Sequence, residues 1–138
     1  MSFLKKNEGS IVKEKQWRIS RKCLKLIIES AKSVHPNEFG ALLRVDDEKI
    51  DTISELVLLP GTVQGESHAI FKLHMQPVDF SIVGTVHSHP SKFPIPSNAD
   101  LELFGKHGRI HIIIANPYTT SSWKAYGYNG KETAVSVL

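Results

Sequence analysis

Cysteine is almost absent from the sequence, which contains Cys23 alone among its 138 residues. A single cysteine cannot form an internal disulfide and is typical of a reducing compartment, so a disulfide-stabilised extracellular domain is excluded. Long apolar runs are also absent, because none approaches the ~20 residues of a membrane-spanning helix. Residues 1–10 lack the apolar segment of a signal peptide. We therefore expect a cytoplasmic protein with no membrane association.

The sequence also has only a small excess of charge of one sign. The sequence has 17 Lys and Arg residues against 14 Asp and Glu, a formal net charge of +3 that is spread along the chain apart from a basic N-terminal tail. Domains that bind nucleic acids usually concentrate basic residues on one face, so we expect no nucleic-acid partner. The length suits one domain with a hydrophobic core. We expect a flexible tail over residues 1–16 and a single domain over residues 17–138.

The spacing of apolar residues predicts a first strand near Trp17–Ile19, followed by a helix that Ser20 caps and that stops before Pro36. The helix is indicated by an apolar stripe at Leu24, Ile27, Ile28 and Ala31. The next predicted elements are strands at Ala41–Val45, Ile50–Leu59, Ser67–Leu73 and Ile82–His89, a helix at Ser97–Lys106 and a central strand at Ile110–Ala115.

The C-terminal residues are predicted to form a closing hairpin. Trp123–Tyr128 and Thr133–Val137 are joined through Asn129-Gly130, a dipeptide that favours tight turns between strands. With this hairpin, predicted strands outnumber predicted helices by about three to one. The sequence contains no repeats and no sign of a second domain.

Two histidines and an aspartate form the most informative pattern. His87 and His89 are two residues apart on a predicted strand, so both side chains leave the same face. Asp100 falls in the first turn of the following helix and can supply an oxygen ligand. Two imidazoles, one carboxylate and an open fourth position are typical of a catalytic zinc site, whereas structural zinc sites are closed by four protein ligands.

A simpler interpretation of part of this pattern stays open. Ser97 followed three residues later by Asp100 also matches a helix N-terminus, with serine as the cap and an acidic residue favoured by the helix dipole. The two interpretations are compatible, because a capped first turn holds Asp100 rigidly for ligation. Both histidines, the proline after them, the serine and the aspartate at fixed spacing together favour the metal site.

The segment His87-Ser88-His89-Pro90, followed after six residues by Ser97-x-x-Asp100, resembles the JAMM motif of the MPN-domain metallopeptidases. Pro36-Asn37-Glu38-Phe39-Gly40-Ala41-Leu42-Leu43 is similar to the upstream segment in which that family carries a glutamate. The resemblance runs from about Trp17 to Tyr126. It implies an α/β (α+β) fold, a single MPN/JAMM domain in which a curved mixed β-sheet is flanked by helices, similar to cytidine deaminases.

The resemblance also implies roles for individual residues. His87, His89 and Asp100 would bind one Zn2+ per chain, Glu38 would act as general base and acid, and Ser97 would donate to the oxyanion. The implied reaction is hydrolysis of the amide bond after the C-terminal Gly-Gly tail of a ubiquitin-like or sulfur-carrier protein, by Glu-assisted attack of zinc-bound water.

Two features of the sequence favour a compact prokaryotic type of this family. Gly84-Thr85-Val86 stands where eukaryotic deubiquitinating members commonly have a Trp-Tyr pair, and the chain has no room for their long insertions. Two other functions stay open: a peptidase that trims a sulfur-carrier precursor or cysteine adduct, and a non-catalytic MPN module that binds ubiquitin-like tails. We expect a monomer or homodimer.

The other chemically active residues are predicted to have ordinary structural roles. Cys23 is predicted to be a small apolar residue of the first helix. Lys92, Phe93 and Ile95, between the predicted ligands, form either a solvated loop or a substrate lip. The remaining histidines show no ligand-like spacing and are predicted to be surface or hydrogen-bonded residues, although His74 could line a cleft: His35, His68, His74, His107 and His111.

Overall fold

The computed structural model describes residues 16–58 and 79–138. In this part of the chain eight strands form a single sheet, and two helices pack against it. Neither helix is long and apolar enough to span a membrane. In chain order the elements are β1 (Trp17–Ile19), α1 (Arg21–Val34), β2 (Gly40–Asp46), β3 (Lys49–Val57), β4 (Ile82–His89), α2 (Asn98–Lys106), β5 (Ile110–Ala115), β6 (Trp123–Gly127), β7 (Glu132–Thr133) and β8 (Val135–Val137).

The sheet mixes parallel and antiparallel neighbours in the strand order β7-β6-β5-β4-β2-β3-β1-β8. β4 runs parallel to β5, and β1 runs parallel to both β3 and β8, whereas the other neighbours are antiparallel. The register of β2 shifts around Arg44 and Val45, and such irregularities bend and twist a sheet. The predicted curved, mixed sheet with flanking helices is confirmed.

Helix α1 forms where the sequence predicts it, because a capped start precedes an apolar stripe. The Ser20 hydroxyl accepts a hydrogen bond from the Cys23 N–H at 3.1 Å, which satisfies a first-turn amide. Leu24, Ile27 and Ala31 are buried in the larger of two apolar clusters. This burial against the sheet, more than helix propensity, holds α1 in place.

The central strand β5 is buried on both faces and separates the two parts of the core. Ile112 and Ile114 belong to the larger cluster, which also contains the apolar face of α1. Ile113 belongs to the smaller cluster, with Leu103 and Phe104 of α2. Since side chains alternate along a strand, α1 and α2 lie on opposite faces of the sheet.

Most of the predicted elements are found close to their predicted bounds. β4 has the bounds predicted for a buried strand, and β5 has the bounds predicted from its apolar run. β3 begins at Lys49 and ends at Val57, which makes it shorter at its C-terminal end than predicted. The predicted strand Ser67–Leu73 and residues 1–15 of the predicted tail lie outside the described residues.

The predicted C-terminal hairpin is only partly correct. β6 pairs with β7 across a short loop that contains Gly130, where φ is 81°, a conformation that favours glycine. β8 leaves the hairpin and pairs in parallel with β1 at the other edge of the sheet. Val135 packs there against the larger core cluster. The partner of β8 therefore follows from where Val135 is buried. The residues of the turn do not specify that burial.

Candidate metal centre

The predicted site lies where β4 ends and α2 begins. His87 and His89 are two residues apart on β4, so both side chains leave the sheet on one face. His87 is buried and His89 is half-buried. Asp100, in the first turn of α2, is also buried. Residues 90–97 return the chain so that the start of the helix faces the end of the strand.

The three side chains converge on one point. The Nε2 atoms of His87 and His89 lie 3.2 Å apart. His87 Nε2 lies 3.1 Å from Asp100 Oδ1, and His89 Nε2 lies 3.2 Å from Asp100 Oδ2. Among the described residues, these three make up the one group of three or more His, Cys, Asp or Glu side chains whose donor atoms could hold a metal ion.

These distances fit a tetrahedral zinc ion. Zinc binds imidazole nitrogen and carboxylate oxygen at about 2.0–2.2 Å, so two donors on one tetrahedral ion are about 3.3 Å apart. The observed nitrogen–nitrogen and nitrogen–oxygen separations of 3.1–3.2 Å are close to this value. Three donors leave a fourth position open, as in catalytic zinc sites.

The ring of His89 is held in the tautomer that a metal ligand requires. Its Nδ1–H donates to the Phe93 carbonyl oxygen at 3.1 Å, so the neutral ring carries its lone pair on Nε2, the atom that faces Asp100, and the protonated ring donates from that atom to Asp100. Such a carbonyl partner fixes both the proton and the orientation of a ligating imidazole. The Nδ1 atom of His87 is buried and has no hydrogen-bond partner among the described residues.

Electrostatics keep the carboxylate of Asp100 ionised. Burial alone raises the pKa of Asp100, but hydrogen bonds from His87 and His89 outweigh it and hold that pKa well below its ordinary value. Burial alone lowers the pKa of His89, but the hydrogen bond to Asp100, the Phe93 carbonyl and the charges of Asp100 and Glu38 raise it overall. The negative charge here favours binding of a cation.

Ser97 and Asp100 form a complete capping box at the start of α2. The Asp100 N–H donates to Ser97 Oγ at 3.1 Å, and the Ser97 N–H donates to Asp100 Oδ2 at 2.9 Å. The helix-cap interpretation of these residues is therefore confirmed. As an acceptor in this box, the exposed Ser97 hydroxyl keeps its own proton available for donation. Its role at the oxyanion stays a prediction.

Glu38 lies just before β2, the strand beside β4. The Ser88 N–H donates to the Phe39 carbonyl at 2.9 Å, and the Phe39 N–H donates to Ser88 Oγ at 2.8 Å. The pairing of β2 with β4 ends at Gly40 opposite His87, and Glu38 precedes Gly40 by two residues. The negative charge of Glu38 is close enough to raise the pKa of His89. Glu38 is half-buried and lies outside the group of three donors. Its predicted role as base is compatible with this position.

Ser88 has a structural role that sequence reasoning missed. The predicted site used the histidines on either side of it, but its buried hydroxyl fixes the edge of β2 that carries Glu38. Alternation along β4 points Ser88 away from the donor atoms and toward the larger core cluster. The sequence shows a serine between two predicted ligands. It does not show that this serine bonds to Phe39, 49 residues away.

Cys23 is not a candidate nucleophile. Its side chain is buried in the core beneath α1. Burial, followed by the negative charge of Glu55, raises the pKa of the Cys23 thiol to about 11, which keeps it protonated and unreactive. The predicted structural role of Cys23 agrees with this environment.

The other described histidines are hydrogen-bonded residues outside the donor group, as predicted. The Nδ1 atom of His111 lies 2.7 Å from the Thr85 hydroxyl oxygen, and its ring stacks on Phe104 with the centroids 4.3 Å apart. His107 ends α2, where its N–H donates to the Leu103 carbonyl. His68 and His74 lie outside the described residues.

Residues between the predicted ligands form an exposed loop. The exposed fractions of Phe93 and Ile95 are 66% and 59%, so both side chains present apolar surface beside the donors. The Tyr126 hydroxyl donates to the Pro94 carbonyl at 2.5 Å and ties this loop to β6. The loop is anchored at its centre, and its use as a substrate lip stays a prediction.

Residues 20–126 match the model of a known family, the prokaryotic homologues of the JAB domain. The chain belongs to this family. The matched range includes all five predicted site residues and nearly the whole described domain. The chain is also 35% identical over 127 residues to a probable metalloprotease of Haloferax volcanii, with 87% of this chain and 78% of the relative covered.

Solved structures agree with membership of the JAB family. A JAB1/MPN domain protein from Archaeoglobus fulgidus is 41% identical, with a TM-score of 0.70 and coverage of 88% of this chain and 98% of that one. A structure described as JAMM, a metalloprotease-like zinc site in the proteasome and signalosome, is 40% identical, with a TM-score of 0.71 and coverage of 89% and 98%. The predicted resemblance to a compact prokaryotic JAMM/MPN type is confirmed.

Proposed function

We propose that this JAB-family protein is a zinc-dependent isopeptidase that hydrolyses the amide bond after the C-terminal Gly-Gly tail of a ubiquitin-like or sulfur-carrier protein. The observation that carries the proposal is the convergence of two imidazole nitrogens and a carboxylate within 3.1–3.2 Å of one another. A second carboxylate, that of Glu38, lies beside this group without joining it. This arrangement suits metal-assisted hydrolysis.

His87, His89 and Asp100 are the residues that would hold the zinc. When bound, zinc supplies Lewis-acid polarisation of the scissile carbonyl and makes the attacking water more acidic. Asp100 contributes a carboxylate that the capping box already orients, so little ordering is needed when the metal binds. The Phe93 carbonyl gives His89 the corresponding orientation.

Glu38 is proposed to move the protons. A carboxylate beside the metal ligands can take a proton from the attacking water and return it to the departing lysine amine. Its half-buried position just before β2 leaves it accessible, while the bonds between Phe39 and Ser88 hold the neighbouring backbone. Proton transfer by a positioned side chain contributes about 10²–10⁴-fold to a rate.

Ser97 is proposed to stabilise the negative charge that develops on the carbonyl oxygen. Ser97 is exposed at the start of α2, and its hydroxyl accepts the Asp100 N–H, so the hydroxyl proton is free to be donated. The capping box fixes the serine in place before substrate arrives. A donor fixed in advance is more effective at the transition state than one that must reorient.

The Gly-Gly tail is the part of the proposal that draws on the family resemblance. Glycine has no side chain, so a tail of two glycines can approach the metal site closely with its backbone. The exposed Phe93 and Ile95 offer apolar surface beside the donors for the body of the carrier protein. An extended tail can also pair with backbone groups, which gives selectivity with few side-chain contacts.

The test is mass spectrometry of two substrates incubated with zinc-loaded protein. One is a carrier protein joined through its Gly-Gly carboxyl to a lysine ε-amine, and the other is the same carrier bearing a cysteine adduct. We expect cleavage of the lysine conjugate, which a chelator abolishes and zinc restores. Cleavage of the adduct alone would indicate the trimming peptidase, and binding without turnover would indicate the non-catalytic module.

A further inference from the structure

Tyr118 has an unusual backbone conformation next to the site. Its φ is 61°, and it is the one non-glycine residue with positive φ in the part of the chain that the structure describes. A bulky side chain is rarely found in this left-handed region, and residues held there tend to cluster at functional sites. Tyr118 is also buried in the larger core cluster. The surrounding contacts therefore have to hold it in place.

The turn that contains Tyr118 is bonded to the end of the ligand strand. The Tyr118 N–H donates to the Ala115 carbonyl at 2.8 Å and closes the turn after β5. Within that turn the Asn116 N–H donates to the carbonyls of His89, at 3.2 Å, and Ser91, at 2.9 Å. The backbone around Tyr118 is thus fixed relative to one of the predicted zinc ligands.

The side chain of Tyr118 extends from this turn to the segment before Glu38. Its hydroxyl oxygen lies 2.6 Å from Nδ1 of His35, the residue that follows α1, and the two rings pack edge to face. Burial, followed by the negative charge of Glu38, raises the pKa of Tyr118, so the Glu38 carboxylate acts electrostatically on this hydroxyl. Tyr118 thus contacts His35 directly and lies within electrostatic range of Glu38.

The residues before and after Glu38 in the chain both make contacts that hold its backbone in place. Downstream, Phe39 is bonded to Ser88 in the register of the sheet. Upstream, the Asn37 N–H donates to the Val34 carbonyl at 2.7 Å, and His35 is joined to Tyr118. The downstream contacts involve β4, whereas the one upstream contact that reaches outside residues 34–37 depends on the Tyr118 hydroxyl.

We propose that Tyr118, through its hydrogen bond to His35, is a positioning residue that fixes the segment carrying Glu38 relative to the ligand strand. The proposal rests on the proposed role of Glu38 as the base. Tyr118 touches neither the donor atoms nor the reacting bond. Its turn instead links two parts of the site, the end of β4 and the entry to β2, that are distant in sequence.

The test uses Tyr118→Phe, which removes only the hydroxyl, with Tyr128→Phe as the matched control because Tyr128 is exposed. Amide hydrogen exchange at Asn37 and Phe39 should accelerate about tenfold in Tyr118→Phe, the factor expected for losing one internal hydrogen bond. Amides within α1 report global stability and should change less. In the zinc-loaded protein, turnover of the lysine conjugate should fall about tenfold or more, with zinc content and KM unchanged.

Two further variants show whether the effect passes through Glu38 and His35. In a Glu38→Gln background, Tyr118→Phe should have little further effect on turnover, because the base that it positions is already absent. His35→Gln, which retains a hydrogen-bonding side chain, should impair turnover less than His35→Ala.

The outcomes distinguish failure of the positioning role of Tyr118 from failure of the proposed function. Unchanged exchange at Asn37 and Phe39 in Tyr118→Phe would overturn the positioning role, whether or not the wild-type protein is active. Faster exchange with a wild-type rate in an active enzyme would overturn it as well. A wild-type protein that hydrolyses nothing would contradict the proposed function, while the exchange data would still decide whether Tyr118 fixes Glu38.

Discussion

The predicted zinc ligands come from one short stretch of chain, His87 to Asp100, whereas Glu38 reaches the site from a separate part of the sequence. Residues 87–100, the ligand half of the site, are fixed by local contacts. These are a capping box within one helical turn and the hydrogen bond from His89 to the Phe93 carbonyl, four residues away. The half that carries Glu38 is fixed by contacts that span 49 and 83 residues. Metal affinity and proton transfer should therefore respond to different mutations.

The largest effect is expected from replacing Asp100. Asp100→Ala should lose most of the zinc and all measurable turnover, because two imidazoles alone hold zinc poorly. Metal analysis after dialysis and the conjugate assay measure both. Asp100→Asn is the matched variant, since its amide oxygen can still accept from the Ser97 N–H and preserve the cap. An Asp100→Asn protein that retained full zinc would show that the carboxylate is not a ligand.

Ser97→Ala should separate helix capping from catalysis within the ligand half. The zinc should remain, the rate constant should fall by about 10²–10³-fold if the hydroxyl binds the oxyanion, and the free energy of unfolding should fall by about 1 kcal/mol. Ser97→Gly keeps most of the cap stability but carries no side-chain donor, so it should recover stability and not turnover. Recovery of turnover in Ser97→Gly, which has no side-chain donor, would contradict the oxyanion role.

The buried side chain of His111 stacks on Phe104 of α2 and should make the free energy of unfolding depend on pH. Burial lowers the pKa of His111 to about 4, so the unfolded chain binds a proton there at pH values where the folded chain does not. Its contribution is present above about pH 6.5 and is lost as the pH falls toward 4, by roughly 3 kcal/mol at most. His89 has the opposite sign, because its folded pKa is raised.

The measurement is denaturant unfolding of metal-free protein between pH 7 and pH 4, for the wild type and for His111→Gln. The difference between the two isolates His111 from the other titrating groups. Stability of His111→Gln should fall less steeply with decreasing pH than that of the wild type. Parallel curves would show that His111 does not titrate on unfolding.

The smallest effect is expected at Ser88, in the half that carries Glu38. Ser88→Ala leaves the buried Phe39 N–H without its acceptor, which should lower the free energy of unfolding by about 1–3 kcal/mol. Zinc content should not change, because Ser88 touches none of the donors. Chemical denaturation, with the exposed Ser136→Ala as control, measures this. Loss of zinc from Ser88→Ala would show that the two halves are not independent.

The difference between the halves also explains what could be predicted from sequence. The spacing of His87 and His89 on a strand, and of Asp100 at a helix start, expresses local geometry that the periods of strand and helix fix in advance. The structure brings these side chains together as that geometry requires. β4 and β5 were predicted at their observed bounds, β5 from the most apolar run of the chain and β4 as a buried strand.

What the sequence could not predict depends on pairing between distant segments. Glu38 was predicted through the family resemblance, and only the pairing of β2 with β4 brings the segment before β2 close to the end of β4. The contact between His35 and Tyr118 has no local signal at either residue. The wrong partner for β8 has the same origin, because the choice between β6 and β1 depends on where Val135 can be buried.

The most direct test of the account measures zinc content and turnover together in Glu38→Gln. Because Glu38 lies outside the donor group, the variant should bind as much zinc as the wild type and keep its fold and substrate affinity. Its turnover of the lysine conjugate should fall by ~10²-fold or more, as expected for losing a positioned proton-transfer group. Glu102→Gln, an exposed substitution on α2, is the control and should match the wild type. Turnover at the wild-type rate in Glu38→Gln, or loss of its zinc, would contradict the separation of metal binding from proton transfer.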